Sequence, residues 1–299
     1  MNRAVDHVLS HLDAPLRLED VAAVAGISRF HFHRIFRALM GETLQRFVKR
    51  VRLERALSMM SRRPRPRLTD IAFACGFSSS SDFTRSFRQR YGVAPSAFDV
   101  RAWREGRRED VRLAVESMRF SPESPARYHI GPPLDPGQNP DGFEVRFRDL
   151  PPRRVAYIRV LEPFRGTNVF DACTRLVAWA EERGLADGQW LGYMWDDPEV
   201  VALEDCRYDV AVVIGPHDPT DGVSALDFPA MRVAELRISG DLALESRALD
   251  WLFETWLPAS SCLPDEQPGF EVWSGRPFAH GVEHFELALH LPVMRHRTR

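Results

Sequence analysis

Lysine is almost missing from this chain: of its 40 basic residues only Lys49 is lysine, a bias of composition that says little about function. Cysteine is scarce too. The 4 cysteines, Cys75, Cys173, Cys206 and Cys262, stand far apart with no CxxC pair and no Cys/His cluster. That spacing excludes a zinc framework and a disulfide scaffold, and it leaves small buried thiols in a reducing compartment. No stretch approaches the roughly 18 consecutive apolar residues of a membrane span. The opening MNRAVDHVLSHLDAPLRLED lacks the apolar core of a secretion signal. A cytoplasmic protein without a membrane partner is expected. The chain also has no phosphate-cradling glycine loop, metal cluster or recognisable Ser-His-Asp set, so neither a cofactor nor catalysis is expected.

What is present is size and a hidden charge asymmetry. With 299 residues and 44% hydrophobic content, the chain has material for two cores. Its net charge of -2 conceals two halves of opposite sign. Residues 1–110 hold 21 Arg/Lys against 12 Asp/Glu, a net of +9, and residues 111–299 hold 19 against 30, a net of -11. A basic segment joined to an acidic one reads as a nucleic-acid module followed by a part that does not touch phosphate.

The basic part contains a repeat. VAAVAGISRFHFHRIFRALMG at 21–41 parallels DIAFACGFSSSSDFTRSFRQRYG at 70–92. Gly26 matches Gly76 at an offset of 50; past the turn the offset is 51, so Phe32, Arg34, Phe36 and Gly41 match Phe83, Arg85, Phe87 and Gly92. A short apolar helix, a glycine suited to positive φ and a longer amphipathic helix make a helix-turn-helix unit. In the second helix Phe32, Ile35, Phe36 and Leu39 fall at i, i+3, i+4 and i+7, which predicts one buried stripe. Phe30, His33, Arg34 and Arg37 then face outward, and adding 51 gives Ser81, Thr84, Arg85 and Arg88. Such a face suits the major groove, because arginine bonds guanine bidentately, hydroxyls reach base edges or phosphates, and Phe30 can lie on a thymine methyl. Asp82 is discordant beside phosphates and either caps its helix or accepts from a cytosine amino group. Between the copies, GETLQRFVKRVRLERALSMM at 41–60 predicts one long connecting helix. A rigid connector lets one chain contact two major-groove segments about 34 Å apart.

On these motifs, together with LTDIAFACGF and FRQRYGVAPSAF, residues 1–105 resemble the DNA-binding domain of AraC-family regulators. The resemblance implies recognition residues within 28–37 and 79–88, which adds Ser28, Arg29 and Ser80 to the two stripes. Double-stranded DNA is the partner it implies, and RNA polymerase is left open as a further one. Asp99 stands where the family usually has arginine.

Residues 106–141 pass from the charged run WREGRREDVR into a segment with Pro122, Pro125, Pro132, Pro133, Pro136 and Pro140, which predicts an extended linker. From residue 142 to 299 strand-like and helical stretches alternate, which predicts a mixed α and β fold. A weak repeat at an offset of 78 sets Val155 on Val233, Tyr193 on Glu271 and Trp195 on Trp273, and one at 77 sets Asp209 on Glu286. The fold class expected is therefore multidomain: an all-α double helix-turn-helix domain, then an α+β domain of two pseudo-symmetric β-α-β-β units. A groove between such units is where a small molecule would bind. Tyr193, Trp195, Glu271 and Trp273, with Trp190 nearby, would form a cation-friendly pocket; in the competing reading the tryptophans are core and Glu271 is exposed or paired with Arg276. PRRVAYIRV, LGYMWDDPE, RYDVAVVIG, FETWLP, PGFEVW and HLPV resemble the GyrI-like effector-binding domain of Rob-type regulators. The resemblance implies a small-molecule effector and places Glu271 at its pocket, with Trp273 where tyrosine is common. Two other readings compete: a hydrolase using Glu271 as general base, and a protein-docking module.

Overall fold

The computed structural model describes residues 1–61, 65–119, 128, 130–131, 134–135, 137–216, 218–220, 222–265 and 267–295. The chain divides into two compact units, Met1–Gly106 and Arg107–Arg299.

The first unit is helical: α1 (Asn2–Ser10), α2 (Leu18–Ala25), α3 (Arg29–Met40), α4 (Leu44–Ser61), α5 (Leu68–Ala74), α6 (Ser80–Tyr91) and the start of α7 (Val100–Ser117). α2–α3 and α5–α6 are the two helix-turn-helix units. Gly26 and Gly76 end the first helix of each pair at φ of 71° and 77°, a region that side-chain-bearing residues avoid. Ser28 and Ser79 cap α3 and α6, accepting from the backbone N–H of His31 and Asp82. Phe32 and Phe36 of α3 are fully buried and pack with Phe47 of α4, as Phe83 and Phe87 of α6 pack among Phe77, Tyr91 and Phe98. The connecting helix α4 is the axis of the unit. Its Arg52 donates to the carbonyls of Leu12 and Ala14, and its Arg50 pairs with Glu42 and Glu54. The stripe on α3 is narrower than its sequence suggests, because Ile35 and Leu39 are 41% and 56% exposed. The two phenylalanine rings fill the contact, and the aliphatic side chains on its flank and in the last turn stay outside it.

The charged run expected as the beginning of a linker is helical instead. α7 continues through Ser117, laced by Arg107–Asp110, Arg112–Glu109 and Arg112–Glu116 pairs at i,i+3 and i,i+4. Its first half packs Trp103 edge-on against Tyr91 and tilted against Phe98 in the first unit. Its second half belongs to the second unit, where Arg108 meets Glu199 at 2.5 Å, Arg107 donates to the Val201 carbonyl and Val115 is buried. Of the linker prolines, Pro122, Pro125, Pro132, Pro133 and Pro136 lie outside the described residues. The described neighbours pack on the second unit: Tyr128 donates to the Val282 carbonyl, and Asp141 holds Arg247 at 2.8 Å.

The second unit consists of β1 (Val145–Leu150), β2 (Arg153–Leu161), α8 (Asn168–Glu181), β3 (Trp190–Met194), β4 (Arg207–Ile214), β5 (Ser224–Phe228), β6 (Met231–Gly240), α9 (Leu242–Asp250), β7 (Cys262–Pro264), β8 (Gly269–Trp273) and β9 (Phe285–Arg295). α9 runs on through a π-helical turn, Trp251–Trp256. The antiparallel sheet has the order β1-β6-β9-β8-β3-β4-β2-β5, with β7 paired to β9 alone. β5 lies at one end and β6 beside the other, yet only Pro229 and Ala230 join them. Three Cα steps reach about 11 Å, whereas six strand spacings in a flat sheet would need about 29 Å. The sheet must therefore curl. Its concave side holds Val155, Tyr157, Leu191, Tyr193, Phe228, Val233 and Phe270 in one cluster. α8 covers the convex side of β2 and β4, and α9 that of β6 and β9.

β2-α8-β3-β4 and β6-α9-β8-β9 are the two related units, and their central strands pair Gly192 with Glu271, flanked by Leu191↔Val272 and Tyr193↔Phe270. The neighbouring registers set the offset at 79 here, since Gly192↔Val210 then corresponds to Glu271↔Leu289. The offset of 78 holds for β2 and β6, where Arg159↔Asp209 corresponds to Arg237↔Ala288. The same correspondence makes the offset 79, not 77, for β4 and β9. One extra residue between the strands therefore separates the sequence-based alignment from the true one. In a strand, a one-residue slip moves every side chain to the other face.

Candidate functional site

Two sets of residues carry candidate chemistry. On α3, Ser28, Arg29, Phe30, His33, Arg34 and Arg37 are all exposed, Phe30 by 71%. On α6, Ser81, Arg85 and Arg88 are exposed, and Ser80 and Thr84 are half-buried. Capping and packing explain the placement. The serine caps start both helices at equivalent positions, and the buried Phe pairs fix which side turns outward. Three members are already engaged: Ser28 caps α3, Arg29 lies 3.3 Å from Glu19 with its guanidinium over the Phe30 ring, and Arg85 pairs with Asp82. Asp82 sits in the first turn of α6, where the helix dipole favours a carboxylate. Its carboxylate accepts from Arg85 at 3.1 Å.

The second set lies on the convex side of the sheet, beneath α9. Glu271 points from β8 toward Tyr208 of β4, whose hydroxyl donates to Oε2 at 2.8 Å; Trp273 Nε1 donates to the same oxygen at 2.7 Å. A second carboxyl, Glu245 of α9, is hydrogen-bonded to Glu271, and both are buried. Burial pushes both carboxyls above the ordinary carboxylate range, Glu245 well above it because the neighbouring Glu271 charge adds to the effect. The bonds that Tyr208, Trp273 and Glu245 donate hold Glu271 back. Both carboxyls are thus held toward the protonated form, and the hydrogen bond between them requires one shared proton. Burial and the Glu271 charge also push the Tyr208 hydroxyl and the Cys173 thiol upward. Opposite Glu271 in the register, Gly192 leaves room for this cluster, since a Cβ there would strike the Tyr208 hydroxyl and Glu271 Oε2.

This arrangement splits the pocket read from the sequence. Glu271, Trp273 and Trp190 share the convex side, but Tyr193 and Trp195 do not line it. Tyr193 faces the concave side, stacked on Phe228 at 4.4 Å and accepting from Arg153 Nε at 3.1 Å. Trp195 donates to Asp209, which is paired with Arg159 at 2.7 Å. The one-residue register difference is the cause. Arg276 is not the partner of Glu271 either, because it reaches Glu181 and Asp187. Tyr208 and Glu245 were missed in the sequence. Glu245 does carry a signal there, since it precedes Ala248 and Leu252 by three and seven residues on the buried stripe of its helix.

A helix-turn-helix domain model matches residues 21–101, and a GyrI-like small molecule binding domain model matches residues 143–294. The DNA gyrase inhibitor of Serratia proteamaculans is 31% identical over 159 residues, covering 50% of this chain and 98% of that protein. The probable transcriptional regulator LumQ of Photobacterium leiognathi is 32% identical over 93 residues, 31% of this chain and 37% of that protein. The right origin-binding protein of Escherichia coli K12 is 35% identical over 88 residues, 29% of this chain and 30% of its own length. The chain thus spans about a third of each of the last two relatives. Among the described residues no helix is long and apolar enough to cross a membrane.

Proposed function

Because the chain belongs to the family defined by a GyrI-like small-molecule-binding domain, here preceded by an AraC-type helix-turn-helix domain, we propose that it is a DNA-binding transcription regulator responding to a hydrophobic cation. The observation that carries the DNA half is the pair of equivalent outward faces on α3 and α6, built from the same helix positions in the segment of net charge +9. Ser28, Arg29, Phe30, His33, Arg34 and Arg37 read or position one half of the site; Ser80, Ser81, Thr84, Arg85 and Arg88 do so for the other. Arg34→Ala and Arg85→Ala should each weaken binding to a selected duplex by about tenfold, the scale of one good base contact. Unchanged affinity in both variants would remove the structural basis of the reading.

The effector half rests on the Glu245–Glu271 pair. A buried carboxyl pair held by Tyr208 and Trp273 is costly to ionise without a counter-charge, and tryptophan faces add attraction for a cation. Glu271 already accepts bonds from three donors, which suits charge recognition better than general-base catalysis. Both carboxylates are buried, so a ligand gains access by displacing side chains between α9 and the sheet. In a thermal-shift screen of lipophilic quaternary ammonium and phosphonium ions, a ligand at 100 times its Kd should add about 2.7 kcal/mol of stability. Glu271→Gln should abolish most of that shift; no shift with any cation in the wild type would contradict this half.

A further inference from the structure

Asp82 is the residue of the reading faces that a DNA-binding role leaves unexplained, since a carboxylate on a helix aimed at phosphates repels them. Its surroundings are specific. Oδ1 accepts from Arg85 Nη2 at 3.1 Å and from the Ser86 hydroxyl at 3.5 Å, while Oδ2 accepts from the Ser78 hydroxyl at 3.5 Å. Ser86 is buried, and the Asp82 backbone N–H is fixed by the Ser79 cap. The Asp82 backbone is therefore fixed and Arg85 is the nearest partner of its carboxylate, with the two serine hydroxyls at the outer limit of hydrogen bonding, whereas the Arg85 side chain is 78% exposed. The contact engages one nitrogen of a guanidinium that belongs to a largely exposed side chain.

We infer that Asp82 is a positioning residue that holds the Arg85 guanidinium for a guanine rather than a phosphate, and so sets base selectivity in the second reading helix. The inference rests on the DNA-binding reading above. An unheld arginine gives up rotamer entropy when it is fixed in one geometry, and any nearby phosphate competes for it. Tethering to a carboxylate lowers the first cost and, by partly neutralising the guanidinium, weakens the second attraction. The first reading helix lacks the device. Subtracting 51 from Asp82 gives His31, whose Nδ1 lies 3.2 Å from the Ser28 hydroxyl, and among the described residues Arg34 has no carboxylate partner. Arg34 is therefore the internal comparison for Arg85.

The test uses the full chain and a randomised DNA duplex pool, from which the wild-type site is selected and then varied one base pair at a time. Arg85→Ala identifies the position that Arg85 reads, and Arg34→Ala does the same for the first helix. Asp82→Ala and Asp82→Asn should lower discrimination at the Arg85 position by about tenfold, leave the Arg34 position as selective as in wild type, and leave affinity for non-selected DNA equal or higher. The salt dependence should steepen by about one phosphate contact as the freed arginine turns to the backbone. Asp82→Asn keeps the size and an acceptor oxygen, so a folding defect in the alanine variant does not decide the matter. Selectivity retained in both Asp82 variants while Arg85→Ala relaxes it would overturn the inference. So would an equal loss on all duplexes, which is what a helix cap alone would give, and the Ser79→Ala variant supplies that pattern for comparison. If Arg85→Ala itself changes nothing, the DNA reading of α6 falls, and the inference falls with it.

Discussion

The carboxyl pair under α9 sets how individual residues respond to pH. Both groups are raised above their ordinary value of 4.5 in the folded protein, so the folded state keeps protons that the unfolded chain releases. Stability is therefore greatest below that ordinary value and declines as pH climbs from there through the folded-state values. Glu245→Gln imitates the protonated carboxyl and should raise the melting temperature at pH 8 relative to wild type, with little difference at pH 4.5. Thermal unfolding at the two pH values measures this; equal curves at pH 8 would mean that Glu245 is ionised at no cost. If a cation binds there as proposed above, the same pair makes its binding pH-dependent in the opposite sense. A cation that takes the place of the shared proton binds more tightly as pH rises, with proton release visible in calorimetry in buffers of different ionisation enthalpy. Tyr208, Trp273 and Cys173 surround the pair, and neither the tyrosine nor the thiol titrates in that window, since burial pushes both upward.

At the scale of elements, helices and strands differed in how far they could be read. The repeat of α2–α3 in α5–α6 was legible because glycine and phenylalanine anchors bracket each turn, so the extra residue between Gly76 and Phe83 showed itself directly. The outward faces followed from the 3.6-residue period, although Ile35 and Leu39 showed that an apolar position on a surface helix need not be covered. In the second unit the anchors are sparse, and an alignment one residue out moved Tyr193 and Trp195 to the wrong side of the sheet. Glu271 and Trp273 share a face under either alignment because they sit on the same strand two residues apart. The run at 101–112 looked like a connector since its charges are dense, yet their spacing of three and four residues was itself a helix signal. Trp195→Phe should leave cation affinity within about twofold. It should cost roughly 1.5–3 kcal/mol of stability by removing one charge-assisted bond to Asp209 Oδ2, which keeps its bond from Arg159. Trp273→Phe should weaken cation binding measurably through loss of its bond to Glu271 and of indole surface. Equal effects of the two substitutions on ligand affinity would return Trp195 to the pocket.

The whole molecule joins a basic helical unit to an acidic sheet unit through one chain, with α7 running across the division at Gly106. A regulator of this kind couples two binding equilibria, and the coupling is reciprocal. If a cation changes the affinity for the selected duplex by some factor, that duplex must change the affinity for the cation by the same factor. Titrations in both directions should give equal ratios, typically 5- to 150-fold for coupled sites; a ratio of one in both would leave sensing and DNA binding as independent activities. The acidic unit should add nothing to phosphate attraction, so the salt dependence of DNA binding should be governed by the arginines of α3 and α6.

The most direct measurement is selection of the full-length protein against randomised duplex DNA at two salt concentrations, with sequencing of the bound fraction. Two equivalent reading helices in one chain predict enrichment of an asymmetric site with two conserved elements about one helical turn apart, and affinity that falls steeply as salt rises. Recovery of an unenriched pool, or binding indifferent to salt, would contradict DNA recognition by α3 and α6.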